Sequence, residues 1–304
     1  MSQAIGGQAV LEGVMMRGPR NWAVAVRKPN GEIAHVWRTI DPLMARHWAL
    51  RLPIIRGVVA LGESLAIGFR ALSVSANYAA QEEAEGDSEP AEIGRWALFF
   101  SFAIAIGFAL MLFKVGPALL TNFLPIESGS WFVIVEGLVR VTVFITYLYV
   151  LSLIPSLRRV FQYHAAEHKA INAHEAGEDL SPETVQRYSL IHPRCGTAFL
   201  LWVMVISIFV FALFGRLDWY WLIITRIAFL PLIAGVAYEL IRFAGKHSKN
   251  RALLILLAPG LWLQRLTTRE PTLDQLEVSI RALREVLDRE GSLTPADRRV
   301  EVMA

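Results

Sequence analysis

The stretch 161–197 reads FQYHAAEHKAINAHEAGEDLSPETVQRYSLIHPRCGT and separates two long apolar parts of the chain. It contains four of the seven histidines and the single cysteine of the 304-residue sequence. Two phrases in it combine histidine with other reactive side chains: H-x-x-E-H at 164–168 and H-P-R-C-G at 192–196. We therefore expect the chain to be organised around a polar site held at a membrane surface.

The apolar composition indicates an integral membrane protein. Hydrophobic residues make up 54% of the sequence and the mean hydropathy is +0.42, which several membrane-spanning runs would explain. Four runs meet or approach the roughly 20 residues that a bilayer requires: 96–122, 131–154, 197–214 and 219–243. The net charge of +3 is small and no basic cluster is interleaved with aromatic residues, which argues against nucleic acid as a partner.

The predicted fold is mainly α: a polytopic membrane protein with about four transmembrane helices, a small N-terminal β-hairpin and a cytosolic helical cap. Asn30-Gly31 lies between two runs of β-forming residues and predicts the hairpin turn. The expected divisions are a glycine-rich segment with the hairpin (1–52), an amphipathic helix with an acidic linker (53–93), helices 1 and 2 (94–154), the polar loop (155–196), helices 3 and 4 (197–243) and a C-terminal part (244–304).

Two further segments have a helical pattern without a clear spanning role. In 54–75, Arg56, Glu63 and Arg70 lie opposite an apolar face, which favours a helix lying on a membrane or on the protein's own membrane domain. The run 252–264 is too short to cross, and Pro259-Gly260 is expected to break it, giving an interfacial helix or a re-entrant turn. A capping box at 272–275 opens a C-terminal helix that should pack on the cytosolic domain or a partner.

The distribution of Lys and Arg predicts the orientation. The connection 125–130 has none, and 215–218 has only Arg216. The 155–196 loop has five: Arg158, Arg159, Lys169, Arg187 and Arg194. Both termini and this loop are therefore expected to face the cytoplasm.

The H-x-x-E-H phrase suits a divalent metal. If a helix resumes after Pro155, His164 and His168 lie one turn apart on one face, where two imidazoles can share an ion. Glu167 is adjacent and could accept a proton from water at the site; the phrase is the inverted form of a zinc-protease motif. Two alternatives stay open, a structural metal clip and a histidine pair that simply lies at the lipid headgroups.

The third ligand is expected from the second phrase. His192 and Cys195 return to the membrane at the far end of the loop, and an imidazole and a thiolate both suit zinc. Glu175 is less suitable because it is about 16 Å from His164 along an ideal helix. For Cys195 alone, a buried apolar role and a nucleophile paired with histidine are the alternatives.

Four charged residues lie well inside the apolar runs, Lys114, Glu136, Arg140 and Arg226, while Glu239 and Arg242 lie near the inner end of the last run. Glu136 and Arg140 are four apart and can pair. Charges at such depth usually face the bundle interior or water. They predict either a structural ion network between helices or a pathway for a substrate or an ion.

The phrases GGQAVLEGVMMRGP (6–19), YHAAEHK (163–169), HPRCGT (192–197) and EPTLDQLEVSIRAL (270–283) resemble the YqhQ-like family of bacterial membrane proteins. The resemblance extends over nearly the whole chain, although Ala165 stands where that family commonly has glycine. The family is described as uncharacterised, with a predicted metal-dependent enzyme label. The resemblance implies a bacterial cell (inner) membrane location and adds two N-terminal candidates, so that the matching positions are Glu12, Arg17, His164, Glu167, His168, His192, Arg194 and Cys195.

The leading hypothesis is a metal-dependent hydrolase at the cytosolic membrane interface. Zinc is the favoured ion, with His164, His168, His192 and Cys195 as ligands, Glu167 as general base, and Arg194 or Arg17 holding an anionic group of a lipid or peptide. The alternatives are a membrane scaffold or accessory subunit with a His/Cys clip, and a transporter using the intramembrane charges. Expected partners are the lipid bilayer and either a membrane protein or a second copy of the chain.

Overall fold

The protein is described by a computed structural model over residues 5–80, 95–215, 217–246 and 250–291. It has two parts: a layered unit built around an N-terminal β-sheet, and a bundle of apolar helices. The helix α6 (Pro155–Ala176) follows directly on α5 (Gly129–Leu153) and connects the two parts. The acidic linker predicted at 81–92 and the last thirteen residues, 292–304, lie outside the described residues.

The N-terminal sheet has four antiparallel strands in sequential order rather than the single hairpin that we predicted. The strands are β1 (Gly6–Val10), β2 (Gly13–Arg17), β3 (Asn21–Arg27) and β4 (Ile33–Thr39). The predicted turn at Asn30-Gly31 does connect β3 to β4, and Gly31 has φ +87°. The glycine-rich segment adds β1 and β2. Gly13 allows close pairing there, since a Cβ would lie 2.2 Å from the carbonyl oxygen of Ala25.

Both faces of the sheet are covered. Val14, Met16 and Ala23 point to one face and pack against α6 and α11 (Leu273–Glu290). Met15 and Val24 point to the other face and pack against α2 (Ile55–Ala80). The alternation follows from the two-residue period of a strand. The capping box at Thr272 and Gln275 is present, and α11 packs on the protein's own sheet.

The apolar bundle contains α3 (Arg95–Leu110), a π-helical turn (Met111–Val115), α4 (Gly116–Asn122), α5, α8 (Gly196–Ala212) and α9 (Trp219–Lys246). Three predicted spans therefore correspond to segments long and apolar enough to cross a membrane: 99–122, α5 and α9. The fourth such segment is 55–78 in α2, whereas α8 has only 17 residues. Short helical turns elsewhere are α1 (Leu43–Arg46), a 3₁₀ turn (Trp48–Arg51) and α7 (Pro182–Val185).

The contacts of α2 favour the predicted surface position. Its Ile67 and Ala71 are buried against the sheet, and its Glu63 pairs with Arg17 of β2 at 2.5 Å. On the opposite side, Leu65 and Phe69 are 65% and 45% exposed. A helix that packs one face on a β-sheet and exposes apolar side chains on its opposite face is suited to lie along a membrane interface.

The predicted break at Pro259-Gly260 is wrong. The segment forms one helix, α10 (Arg251–Thr267), with Pro259 inside it. A proline in a helix removes one backbone hydrogen bond and can be tolerated when the helix is held by packing. Gly260 supplies such packing, since a Cβ there would lie 3.1 Å from the Cβ of Ala198 in α8.

Candidate metal centre

The two histidines of the first phrase lie on one face of α6. Pro155 is the first residue of that helix, where its missing N–H costs nothing, so the helix resumes as predicted. The imidazole centroids of His164 and His168 are 4.5 Å apart. The Nδ1 atom of His164 lies 2.8 Å from the carbonyl oxygen of Thr267, and that of His168 lies 2.6 Å from the carbonyl oxygen of Leu190.

Cys195 meets this pair from the other end of the polar loop. It precedes α8, whose first residue is Gly196. Its Sγ lies 3.3 Å from His164 Nε2 and 3.1 Å from the Oγ1 of Thr197. One ligand atom each from His164, His168 and Cys195 lie within 4.8 Å of one another. The two phrases therefore come together in space.

The carbonyl contacts determine which imidazole nitrogens are available. A carbonyl oxygen only accepts hydrogen bonds, so each Nδ1 carries the proton and donates it. In the neutral rings each Nε2 then has a free lone pair, which is the arrangement found in metal-binding histidines held by an outer hydrogen bond. Two imidazole nitrogens and a thiolate are donors that zinc prefers. The residues present thus fit a zinc-type ion with three protein ligands.

The electrostatics favour a thiolate at Cys195. Burial alone would raise the pKa of this thiol, but the positive charges of His164 and His168 and their hydrogen bonds hold it well below its usual range. For His164, burial lowers the pKa, yet the opposing charge of Cys195 and its hydrogen bond raise it to about 9. Each group thus favours the charged form of the other, and an ion bound between them would take the place of a proton.

Glu167 is buried beside this group but is not one of the three clustered ligands. Burial raises its pKa, while the charges of His168 and His164 act in the opposite direction. Its carboxylate makes no hydrogen bond with any residue that the structure describes. The side chain lies against the backbone of Gly7 in β1, where a Cβ would be 2.7 Å from Glu167 Cγ.

His192 lies beside the three ligands without joining them. Its ring centroid is 5.9 Å from that of His168, and its side chain is 1% exposed. Its Nε2 lies 3.5 Å from Glu175 Oε2, and neither ring nitrogen has a hydrogen-bond partner in the described part of the chain. Burial lowers its pKa. The half-buried Arg194 forms an ion pair with Glu175 at the edge of the site.

The two N-terminal candidates each pair with a residue of a neighbouring helix. Arg17 is 1% exposed and binds Glu63 and, at 2.9 Å, Ser64 of α2. Glu12 pairs with Arg159 and lies 3.4 Å from the hydroxyl of Tyr163. Both side chains thus attach the sheet to a helix.

Three of the four charged candidates in the apolar runs, Glu136, Arg140 and Arg226, form a separate network. Glu136 of α5 pairs with Arg140 on the same helix and, at 2.9 Å, with Arg226 of α9. Arg140 Nε also donates to the carbonyl oxygen of Phe113 in the π-helical turn, at 2.9 Å. The network therefore joins three segments of the bundle.

Comparison with known proteins identifies the family. Residues 52–289 match the family described as "Protein of unknown function (DUF1385)". The chain belongs to this family. It is also 34% identical over 297 residues to the "Uncharacterized protein YqhQ" of Bacillus subtilis (strain 168), with 93% of this chain and 92% of that protein covered. The YqhQ-like resemblance is thus confirmed, and no solved structure matches the chain.

Three features of the site in this DUF1385 chain were missed from the sequence: Gly7 and the carbonyl groups of Leu190 and Thr267. The carbonyls have no sequence signal, since any residue supplies one. The glycine did carry a signal, because Gly6 and Gly7 are the first two residues of β1, and glycine in a strand often marks a place where another group approaches the backbone closely. The approaching group is Glu167, 160 residues away in the sequence.

Proposed function

We propose that the protein is a metal-dependent hydrolase of the cell membrane, with its sheet and polar loop on the cytoplasmic side. The observation that carries this proposal is the arrangement around α6: one imidazole nitrogen each from His164 and His168 and the Cys195 Sγ lie within 4.8 Å of one another, with each Nδ1 held by a carbonyl. Three protein ligands leave a fourth position open, as in catalytic rather than structural zinc sites.

The ion would act as a Lewis acid and would lower the pKa of water at the site toward neutral. The chain's own groups supply the rest. Glu167 is placed to accept a proton, because it is adjacent to His168 but is not clustered with the ligands. Its raised pKa brings it closer to neutrality, where a general base works best. Arg194 is the candidate for holding an anionic group, since Arg17 is paired with Glu63.

A cleft next to this region would suit a substrate from the membrane. An apolar cleft of about 590 Å³ lies between the polar loop, α9 and α10. Ile191 and Pro193 on the loop side of the cleft flank His192, and Arg265 supplies a positive charge. An apolar cleft with one cation is suited to an amphiphile with an anionic group, such as a lipid or a lipid-modified peptide.

A structural clip is the second candidate, and one observation favours it. His168 and Cys195 are 1% and 3% exposed, and an ion bound to them would fasten α6 to the start of α8. The clip, however, gives no reason for a buried carboxylate beside the ligands. A nucleophilic cysteine would use only Cys195 and His164 and would leave the second oriented imidazole, His168, without a role.

The test compares metal content, stability and hydrolysis for the full-length protein in detergent or nanodiscs. We expect about one zinc per chain in the wild type and loss of zinc in His168→Ala and Cys195→Ser. Glu167→Gln should keep the ion and the melting temperature. It should lose about 10²–10⁴-fold in turnover of chromogenic phosphate or carboxylate esters presented in micelles, as expected for removal of a general base.

The controls separate the candidates. Glu183→Gln removes an exposed carboxylate in α7, away from the ligands, and should behave as the wild type. If Glu167→Gln hydrolyses as fast as the wild type, the hydrolase proposal is wrong. Under the clip alternative, His168→Ala loses metal and stability together while Glu167→Gln has no effect. Zinc that is absent from the wild type and does not bind on addition excludes both.

A further inference from the structure

The charged network inside the apolar bundle contains more positive than negative charge. Glu136 is the single carboxylate among the described residues of the network and serves two guanidinium groups, with one oxygen for Arg140 and the other for Arg226. Glu136 and Arg140 are 5% and 8% exposed, so water compensates little of this charge. With Lys114 included, three cations stand against one carboxylate.

Lys114 belongs to the same cluster but is not paired. It lies in the π-helical turn, within electrostatic range of Arg226, Arg140 and Glu136. It forms no ion pair or hydrogen bond with any residue described in the structure. Its side chain is exposed on the surface of the bundle. Lys114 therefore has no counter-ion of its own among the described residues.

Arg226 has a second unsatisfied donor. Its Nη2 binds Glu136 at 2.9 Å and its guanidinium carbon lies 4.9 Å from the ring centre of Phe211, but its Nη1 is buried without a hydrogen-bond partner. Arg140 differs, because its Nε donates to the carbonyl of Phe113. A buried charged donor without a partner is costly, and in an apolar bundle such groups usually mark a binding site.

The geometry points to an anion-binding site between Lys114 and Arg226, suited to a phosphate group. One phosphate brings one or two negative charges and several acceptor oxygens, which would balance the two surplus cations and satisfy Arg226 Nη1. Arginine supplies directional donors to phosphate and lysine a point charge. This site lies within the bundle, is formed by other residues than the candidate metal centre and does not depend on the proposed function.

The phosphate could belong to a lipid headgroup or be a free ion. Arg226 is seven residues from the start of α9, or about 10 Å along the helix. The exposed Lys114 can extend along the bundle surface toward the headgroup layer, as long cationic side chains do. A lipid phosphate held at this depth would be partly drawn into the bilayer, whereas a free phosphate would enter from the water at the same end.

The experiment measures binding to the full chain in two arms. In the lipid arm, the protein in phosphatidylcholine nanodiscs receives increasing phosphatidate, and bound lipid is counted by native mass spectrometry. In the soluble arm, delipidated protein in neutral detergent is titrated with inorganic phosphate and pyrophosphate. We expect Lys114→Gln and Arg226→Gln each to weaken binding about tenfold or more, as for loss of a charged hydrogen bond.

Matched variants keep the outcome interpretable. Lys114→Gln breaks no ion pair, so it tests the site even if Arg226→Gln folds poorly. Lys114→Arg retains the charge and should restore most of the binding. Arg158→Gln removes an exposed positive charge on α6 and should bind as the wild type. If binding depends on Lys114 in one of the two arms, that result supports the site. The arm in which it occurs identifies whether the phosphate comes from a lipid or from solution. Wild-type binding by Lys114→Gln and Arg226→Gln in both arms, or no binding to the wild type in either, overturns it.

Discussion

At the scale of single residues, Gly7 ties the N-terminal sheet to the candidate metal centre. Any other residue would place a Cβ 2.7 Å from Cγ of the buried Glu167, so the carboxylate or the strand must move. We expect Gly7→Ala to destabilise the protein by about 1–3 kcal/mol, as overpacking does in a filled core. It should lower hydrolysis further than stability alone explains, with zinc retained. Thermal unfolding, metal content and turnover measure the three effects.

Gly62→Ala is the control for this prediction. Gly62 is a helical glycine in α2, and a Cβ there would have no neighbour within 4 Å. Alanine is the better helix former by up to about 1 kcal/mol, so this variant should be as stable as the wild type or more so. Equal behaviour of the two alanine variants would show that the contact between Gly7 and Glu167 does not constrain the site.

The sequence correctly predicted those features that are determined by residues adjacent in the chain. The hairpin turn at Asn30-Gly31 and the capping box at Thr272 are set by a few neighbouring residues, and both are present. The site is different. Its ligands could be selected by type and spacing, but the neighbours of Glu167 could not, because they depend on how a strand and a helix far apart in sequence are packed. His192 shows the same limit, since it lies beside His168 without being clustered with the ligands.

At the scale of elements, α11 depends on a buried carboxylate at its end. Glu290 Oε1 accepts hydrogen bonds from the backbone N–H groups of Arg20 and Asn21, both at 2.8 Å, and so joins the helix to the turn before β3. Burial raises the pKa of Glu290, although these hydrogen bonds act in the opposite direction. This carboxyl is therefore easier to protonate in the folded than in the unfolded protein.

The raised pKa of Glu290 makes the stability of the fold depend on pH. A carboxyl with a raised pKa stabilises the fold fully below its ordinary pKa of 4.5, and this contribution is lost as the pH rises through the folded-state value. Glu290→Gln keeps an oxygen acceptor and carries no charge. We expect its melting temperature to exceed that of the wild type at pH 8 and the difference to shrink toward pH 5. The exposed Glu277→Gln on the same helix should show no such trend; a Glu290→Gln difference independent of pH would contradict the assignment.

The helices also show which element boundaries sequence patterns can predict. Pro155 coincides with a helix start because the first position of a helix needs no N–H donor. Pro259 does not end α10, since packing of Gly260 against Ala198 compensates for one missing hydrogen bond. The π-helical turn at Met111–Val115 was not predicted either. Its carbonyl at Phe113 is satisfied by Arg140 of another helix, a partner that the local sequence does not reveal.

At the scale of the whole molecule, the two short turns of the bundle lie at one end. A Cβ on Gly215, after α8, would lie 3.7 Å from Gly129 at the start of α5. The sheet lies at the other end of α5, where α6 begins and Arg159 pairs with Glu12. With 25 residues, α5 separates the two ends by about 37 Å. If the bundle spans a membrane, the turns and the sheet must therefore face opposite compartments.

The charge distribution predicts which compartment each end faces, and cysteine labelling can measure it. The 125–130 turn lacks Lys and Arg, whereas the polar loop has five, so the turn should be external and the loop cytoplasmic. Ser128 and Asp179 are both exposed, one at each end, and the native Cys195 is buried, which keeps background labelling low. In intact cells with a permeable outer envelope, a membrane-impermeant maleimide should label Ser128→Cys and not Asp179→Cys. After lysis it should label both, while the unmodified chain remains the control. Labelling of Asp179→Cys before lysis would reverse the orientation and place the candidate metal centre outside the cytoplasm.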